Sequence, residues 1–137
     1  MPEPIQQELI WMDMIDAVIA HDLELTASGG SAGIRDQGLL ESALARPKNL
    51  WVYSEQPPTW WARAASYAFG ISSNHPFVDG NKRAALLVSF AFLETNGIAV
   101  IASQEDAYRM IFGLAAGEIS EPELADWFER NTDPAAR

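Results

Sequence analysis

The sequence predicts an all-α protein, a compact bundle of about six helices with one small β-hairpin flap. Apolar residues recur at steps of three and four along most of the chain, the period of a helix face. Gly and Pro are gathered in a few short clusters that leave helix-length segments between them. Ser, Thr and Asp stand just before several of those segments, where a helix start needs a side-chain acceptor. With 137 residues, 48% of them hydrophobic, the chain has room for one real core. One domain is expected over residues 1–131, with residues 132–137 as a frayed tail.

The first helix is expected to be amphipathic through Ile5, Leu9, Met12, Ile15, Val18 and Ile19, ending near His21 or slightly later. The glycine-rich stretch at residues 28–33 is then a loop. Asp36 can cap a second helix whose inner face is Leu39, Leu40, Ala43 and Leu44, with Pro47 stopping it. Residues 49–54 are short, aromatic and β-branched and precede Pro57-Pro58, so they read as an extended flap or small hairpin that includes Leu50, Trp51, Val52 and Tyr53. A core plug is the competing reading of that segment. A third helix covers about 59–73, with Ala62, Ala64, Ala65 and Ala68 permitting close packing. A fourth starts near Asn81 and is almost wholly apolar from 84 to 95, which marks it as central. Asn96-Gly97 ends it. After a brief extended piece at 98–101, Ser103 with Asp106 opens a fifth helix, and Ser120 with Glu123 forms a full capping box for a sixth.

The formal net charge is −10, which argues against direct nucleic-acid binding and against an anionic membrane surface. The absence of cysteine excludes disulfides, thiolate metal sites and cysteine nucleophiles. No apolar run approaches the roughly 20 residues that span a bilayer, and residues 1–10 do not read as a signal peptide, so a cytoplasmic location is expected. The charge is unevenly spread. Residues 1–34 hold six acids and no base, net −6; residues 35–83 hold six bases and four acids, net +2; residues 84–137 hold three bases and nine acids, net −6. Lys82 and Arg83 equal the excess of the middle third.

The informative stretch is His75-Pro76-Phe77-Val78-Asp79-Gly80-Asn81-Lys82-Arg83. A loop feeds directly into a helix, whose first N–H groups lack intrahelical partners and lie at the positive end of the dipole. Such an end binds phosphate, and Gly80 lets a phosphate approach the backbone. Lys82 and Arg83 oppose the dipole unless an anion lies between them, a local rule broken where a ligand would repair it. A histidine side chain can take a proton near neutral pH, which suits His75 to the part of a base. Asp79 is a hard oxygen ligand suited to Mg2+ against phosphate oxygens. Phe77 is expected to point into the core and pin the loop. Taken singly, His75 could be a capping histidine, Asp79 a helix cap, and Lys82 and Arg83 a solvated first turn. Together they supply the parts of phosphoryl or nucleotidyl transfer.

At these residues the chain resembles the Fic-fold superfamily and, within it, the death-on-curing (Doc) toxin family. Residues 75–83 match the pattern His-Pro-Phe-x-(Asp/Glu)-Gly-Asn-(Gly/Lys)-Arg at every fixed place. The likeness extends over Gly29-Gly30, Gly33-Ile34-Arg35-Asp36, residues 39–47, residues 92–97 and residues 114–117. The resemblance implies a Fic-type core. It implies His75 as general base toward a target hydroxyl, Phe77 as buried anchor and Asp79 as Mg2+ ligand. Gly80 and Asn81 fall at the anion-binding turn, and Arg83 at the cation that meets nucleotide phosphates. Lys82 stands where adenylyl-transferring members often have Gly. In Doc-type proteins a Lys goes with a reversed nucleotide and transfer of the γ-phosphate of ATP. The target so implied is a threonine of elongation factor Tu, and the outcome is arrest of translation. Pro76 and Gly80 are Fic-like rather than Doc-like, which keeps an adenylyltransferase as the alternative. A catalytically idle partner-binding module is the second alternative. No Glu is followed by Gly or Asn, so the family's (Ser/Thr)-x-x-x-Glu-(Gly/Asn) inhibitory pattern is absent. Restraint by a separate antitoxin is implied instead, its C-terminal segment filling the groove, with apolar surface near the first helix and residues 50–53 suited to it.

Overall fold

In the computed structural model the described residues are 9–52 and 55–133. They form six helices: α1 Met14–Ser28, α2 Gln37–Val52, α3 Trp60–Asn74, α4 Asn81–Thr95, α5 Gln104–Ala115 and α6 Glu121–Arg130. The starts follow the side-chain caps. Asp13 and Asp16 cap each other's backbone at α1, Asp36 accepts from the Leu39 N–H at 3.0 Å, and Thr59, Ser103 and Ser120 cap α3, α5 and α6. At Ser103 only one half of the expected box forms, because Asp106 supplies its N–H but its side chain does not reach back.

Helix α3 is the centre of the bundle and touches α2, α4, α5 and α6. Its small residues make this possible. Ala64, Ala65 and Ala68 are fully buried, and a Cβ on Gly70 would stand 3.0 Å from the Ala43 Cα of α2. Helix α4, the expected centre, lies second to it, with Ala84, Ala85, Val88, Phe92 and Leu93 buried against α3 and α1. The chain ahead of α1 is tied across this core: Met12 N–H donates to the Tyr67 hydroxyl at 2.9 Å, and Asn96 bonds both the N–H and the carbonyl of Ile10. Burial pushes the Tyr67 hydroxyl up to about 12.

Four expectations are corrected. First, α1 buries Ala17, Ala20, His21 and Glu24, while Ile15 and Ile19 stand 68% and 53% exposed. Small residues let α1 approach α4, and two polar groups with partners there outcompete the aliphatic stripe. Leu9 and Met12 pack on the core from outside any helix, and Ile5 lies outside the described residues. Second, Pro47 does not end α2; the helix runs through it to Val52. Its absent N–H forfeits a bond to the Ala43 carbonyl. That backbone is where Gly70 packs, and Pro47 is itself fully buried. Third, the flap is therefore not a hairpin: Leu50, Trp51 and Val52 are the last turn of α2, and Tyr53 lies outside the described residues. Packing of α2 along α3 overrides the β propensity of three residues. Fourth, Thr132 and Asp133 do not fray. Thr132 is 3% exposed, bridges to Val100 and accepts from Trp61 Nε1 at 2.8 Å, and the Asp133 N–H donates to the Ala99 carbonyl at 2.9 Å.

Candidate active site

Helix α3 ends on His75, the C-cap, with φ 50° and ψ 54°. Among the described residues it is the one non-glycine residue with positive φ. This left-handed conformation costs free energy that the surroundings must offset. Arg35 does so: its Nε donates to the His75 carbonyl at 2.7 Å and its Nη2 to the Asn74 carbonyl at 2.9 Å. The Arg35 and Asp36 N–H groups both reach the Pro76 carbonyl, the Val78 N–H reaches Gly33, and Ile34 bridges to Phe77. The glycine-rich loop ahead of α2 thus staples the loop 75–78 in place and turns the His75 imidazole outward.

The next turn is fixed from beneath. Phe77 is 1% exposed and stacks parallel on His21, ring centroids 4.0 Å apart. His21, 2% exposed, has its Nε2 2.6 Å from the Asp79 carbonyl. A carbonyl only accepts, so Nε2 carries the proton in this contact. Asn81 clamps Phe77 from the other side, its Oδ1 accepting the Phe77 N–H at 2.9 Å and its Nδ2 donating to the Phe77 carbonyl at 3.0 Å. Asn81 therefore offers an anion only its backbone; its carboxamide is structural.

Gly80, in the left-handed region at φ 73°, is the N-cap of α4, and no side chain caps this helix. The first turn holds no acid. Lys82 places its ammonium 5.0 Å from the centroid of the Phe112 ring on α5. Arg83 Nη1 lies 3.0 Å from Glu24 Oε1, which also accepts from the Ser28 hydroxyl at 2.6 Å. The Glu24 side chain is 11% exposed and that of Arg83 43%. Tyr108, one turn before Phe112, has its hydroxyl pushed up by burial and then by the Glu24 charge, with Arg83 opposing.

His75, Asp79, Gly80, Asn81, Lys82 and Arg83 all line one cavity of about 510 Å³, closed by Glu24 and the glycine loop on one side and Phe112 on another. Phe77 lies beneath it as the anchor. Leu50 and Val52 are not among its walls. Sequence reading missed four residues that shape the site: His21, Glu24, Arg35 and Phe112. The first two carried a signal, being polar positions in phase with Ala17 and Ala20 on one helix face. Chemically, the cavity joins an exposed imidazole, the carboxylates of Asp79 and Glu24, an uncapped helix start and two cations. That set can accept a proton and hold a compact polyanion.

The chain is 36% identical over 92 residues to the Toxin Doc of Mycolicibacterium smegmatis, covering 67% of this chain and 68% of the relative. It is 33% identical over 115 residues to the Protein kinase doc of Escherichia phage P1, covering 84% of this chain and 90% of the relative. The Fic/DOC family profile matches residues 11–93, a span that runs from the chain ahead of α1 through the cavity-forming loop to the end of α4. A protein with this helical core, this loop and these matches belongs to the Fic/DOC family.

Proposed function

We propose that the chain is the toxin of a toxin–antitoxin pair, an ATP-dependent protein phosphotransferase acting in the cytoplasm. Its substrate is a hydroxyl, a threonine of elongation factor Tu or a similar translation factor, and its effect is arrest of translation. The observation that supports this best is the single cavity in which His75 faces the uncapped start of α4 with Lys82 and Arg83 beside it. The names of the two relatives, one a toxin and one a protein kinase, point the same way.

In the proposed reaction the target hydroxyl oxygen forms a bond to the γ-phosphorus. The imidazole of His75 takes the hydroxyl proton, and the bond from that phosphorus to the bridging oxygen breaks, ADP leaving with the electron pair. The first N–H groups of α4, with Lys82 and Arg83, stabilise charge on the phosphate oxygens. Asp79 fits the magnesium that such phosphates carry. Its carboxylate opens to the cavity, Oδ1 accepts the Gly80 N–H at 2.8 Å, and Oδ2 has only a 3.4 Å contact to the Ser31 N–H. Gly30 keeps the space beside it clear, since a Cβ there would lie 2.9 Å from Oδ2. One carboxylate plus the nucleotide's own oxygens is a usual Mg2+ set, and the ion neutralises phosphate charge.

The proposed partner is an antitoxin whose C-terminal segment fills the groove. Helix α1 turns Ile15, Ile19 and Leu23 outward, the last 64% exposed, in a stripe at helical spacing. The sharpest test incubates the protein with elongation factor Tu and ATP labelled at the α or the γ position. Transfer of γ label alone is expected. Transfer of α label would replace the reading with adenylyl transfer, and neither label together with no ATP affinity would leave a partner-binding module.

A further inference from the structure

Phe112 stands 47% exposed on a helix whose neighbouring large apolar residues are covered. It lies on the wall shared by two cavities. One is the cavity with the helix start; the other, of about 490 Å³, is bounded by Lys82, Arg109, Phe112 and the last turn of α5. Lys82 belongs to both. Its backbone sits in the first turn of α4, where phosphates are expected, and its ammonium rests on the Phe112 ring. One lysine side chain therefore spans the gap between the anion site and an exposed aromatic face.

We infer that Phe112 is the stacking platform for the nucleobase of the nucleotide. The inference rests on the nucleotide reading above and deepens it. Without ligand, Lys82 covers the ring through a cation–π contact, a weak interaction at an exposed site. Phosphate oxygens at the α4 start are a stronger partner for the ammonium. When Lys82 turns to them, the ring face is left bare, and the flat base of the same molecule covers it. Aromatic stacking accepts any base, so the platform supplies affinity while the phosphates set the register. An apolar side chain of the protein substrate is the competing occupant. The ring's place on the wall of the phosphate cavity, one lysine side chain from the anion site, favours the base.

The experiment is calorimetric titration of Mg-ATP and of Mg-tripolyphosphate into the wild-type protein, Phe112→Ala and Phe112→Tyr. Phe112→Ala is expected to weaken Mg-ATP about 10-fold and to leave tripolyphosphate unchanged, while Phe112→Tyr retains both. Unchanged ATP affinity in Phe112→Ala overturns the inference, and so does an equal loss of both ligands, which would make the ring a mere support for Lys82. A raised KM for the protein target with intact ATP affinity assigns the ring to that target and also overturns it. If the wild type binds neither ligand, the nucleotide reading itself fails. If it binds both and Phe112→Ala changes neither, only the base platform fails.

Discussion

Helix α6 opens on Ser120, whose hydroxyl accepts the Glu123 N–H at 3.2 Å while Glu123 reaches back to the Ser120 N–H at 3.1 Å. Pro122 and two acids fill its first turn, and Arg130 stands in its last. Helix α4 opens on a left-handed glycine with no side-chain cap, no acid, and Lys82 and Arg83 in the first turn. Both helices are part of the same core, so the difference is local. The start of α6 is complete within the chain, whereas the start of α4 has no side-chain cap, and its two cations are met only by the Phe112 ring and by Glu24 from other helices. That contrast sets a helix end complete in its own caps against one open to the proposed nucleotide. The largest expected effect lies just ahead of α4: His75→Ala should lower transfer to the target at least about 100-fold while the thermal melt stays close to wild type, because the ring is exposed. Phosphotransfer measured with labelled ATP checks it, and undiminished transfer would remove His75 as the base.

Making α4 resemble α6 is the next test. Lys82→Glu puts an acid into the first turn and should stabilise the fold by some tenths of a kcal/mol. The same change should weaken nucleotide binding about 10-fold, since it replaces a cation at the proposed anion site by a carboxylate. A melt and a titration read the two effects in opposite directions. The reverse change at α6 is Ser120→Ala, which should cost about 1 kcal/mol of stability and leave nucleotide affinity and transfer unchanged. If Lys82→Glu lowered stability, or Ser120→Ala impaired transfer, the division between the two ends would not hold.

The contrast also shows what was legible in the sequence. Ser103, Ser120 and Asp36 announce their helices because a cap is a local contact, made within three residues. The run 75–83 is equally local, and all six of its proposed ligand-facing residues line one cavity. His21 and Glu24 were not legible in the same way. Their partners, the Asp79 carbonyl and Arg83, are 58 and 59 residues away, so the phase they share with Ala17 and Ala20 places them on one face but says nothing of what they meet. The same tertiary contacts explain why Ile15 and Ile19, the better hydrophobes, point outward. Pro47 misled for a related reason: a proline stops a helix when its lost hydrogen bond matters most, and here burial against α3 weighs more. Phe112 carried no local signal; only the fold leaves half of it uncovered beside the cavity.

The smallest expected effect concerns the cation of the α4 start that the chain meets with a charge of its own. Glu24 pairs with Arg83 and is held in place by the Ser28 hydroxyl. The pair occupies a cation that the proposed nucleotide needs, and it sets a carboxylate facing the incoming phosphates. In Glu24→Gln the amide oxygen can still accept from Ser28 and from Arg83, so the shape of the wall is kept while the charge is lost. Nucleotide affinity should therefore rise about threefold, a modest change because Arg83 is partly solvated and its pairing screened. The melt should fall only slightly, for the same reason. Titration of Mg-ATP into the variant checks the sign. An unchanged or weakened affinity would mean that Glu24 holds Arg83 ready for the phosphates instead of competing with them, and α4 would then be partly preorganised by α1.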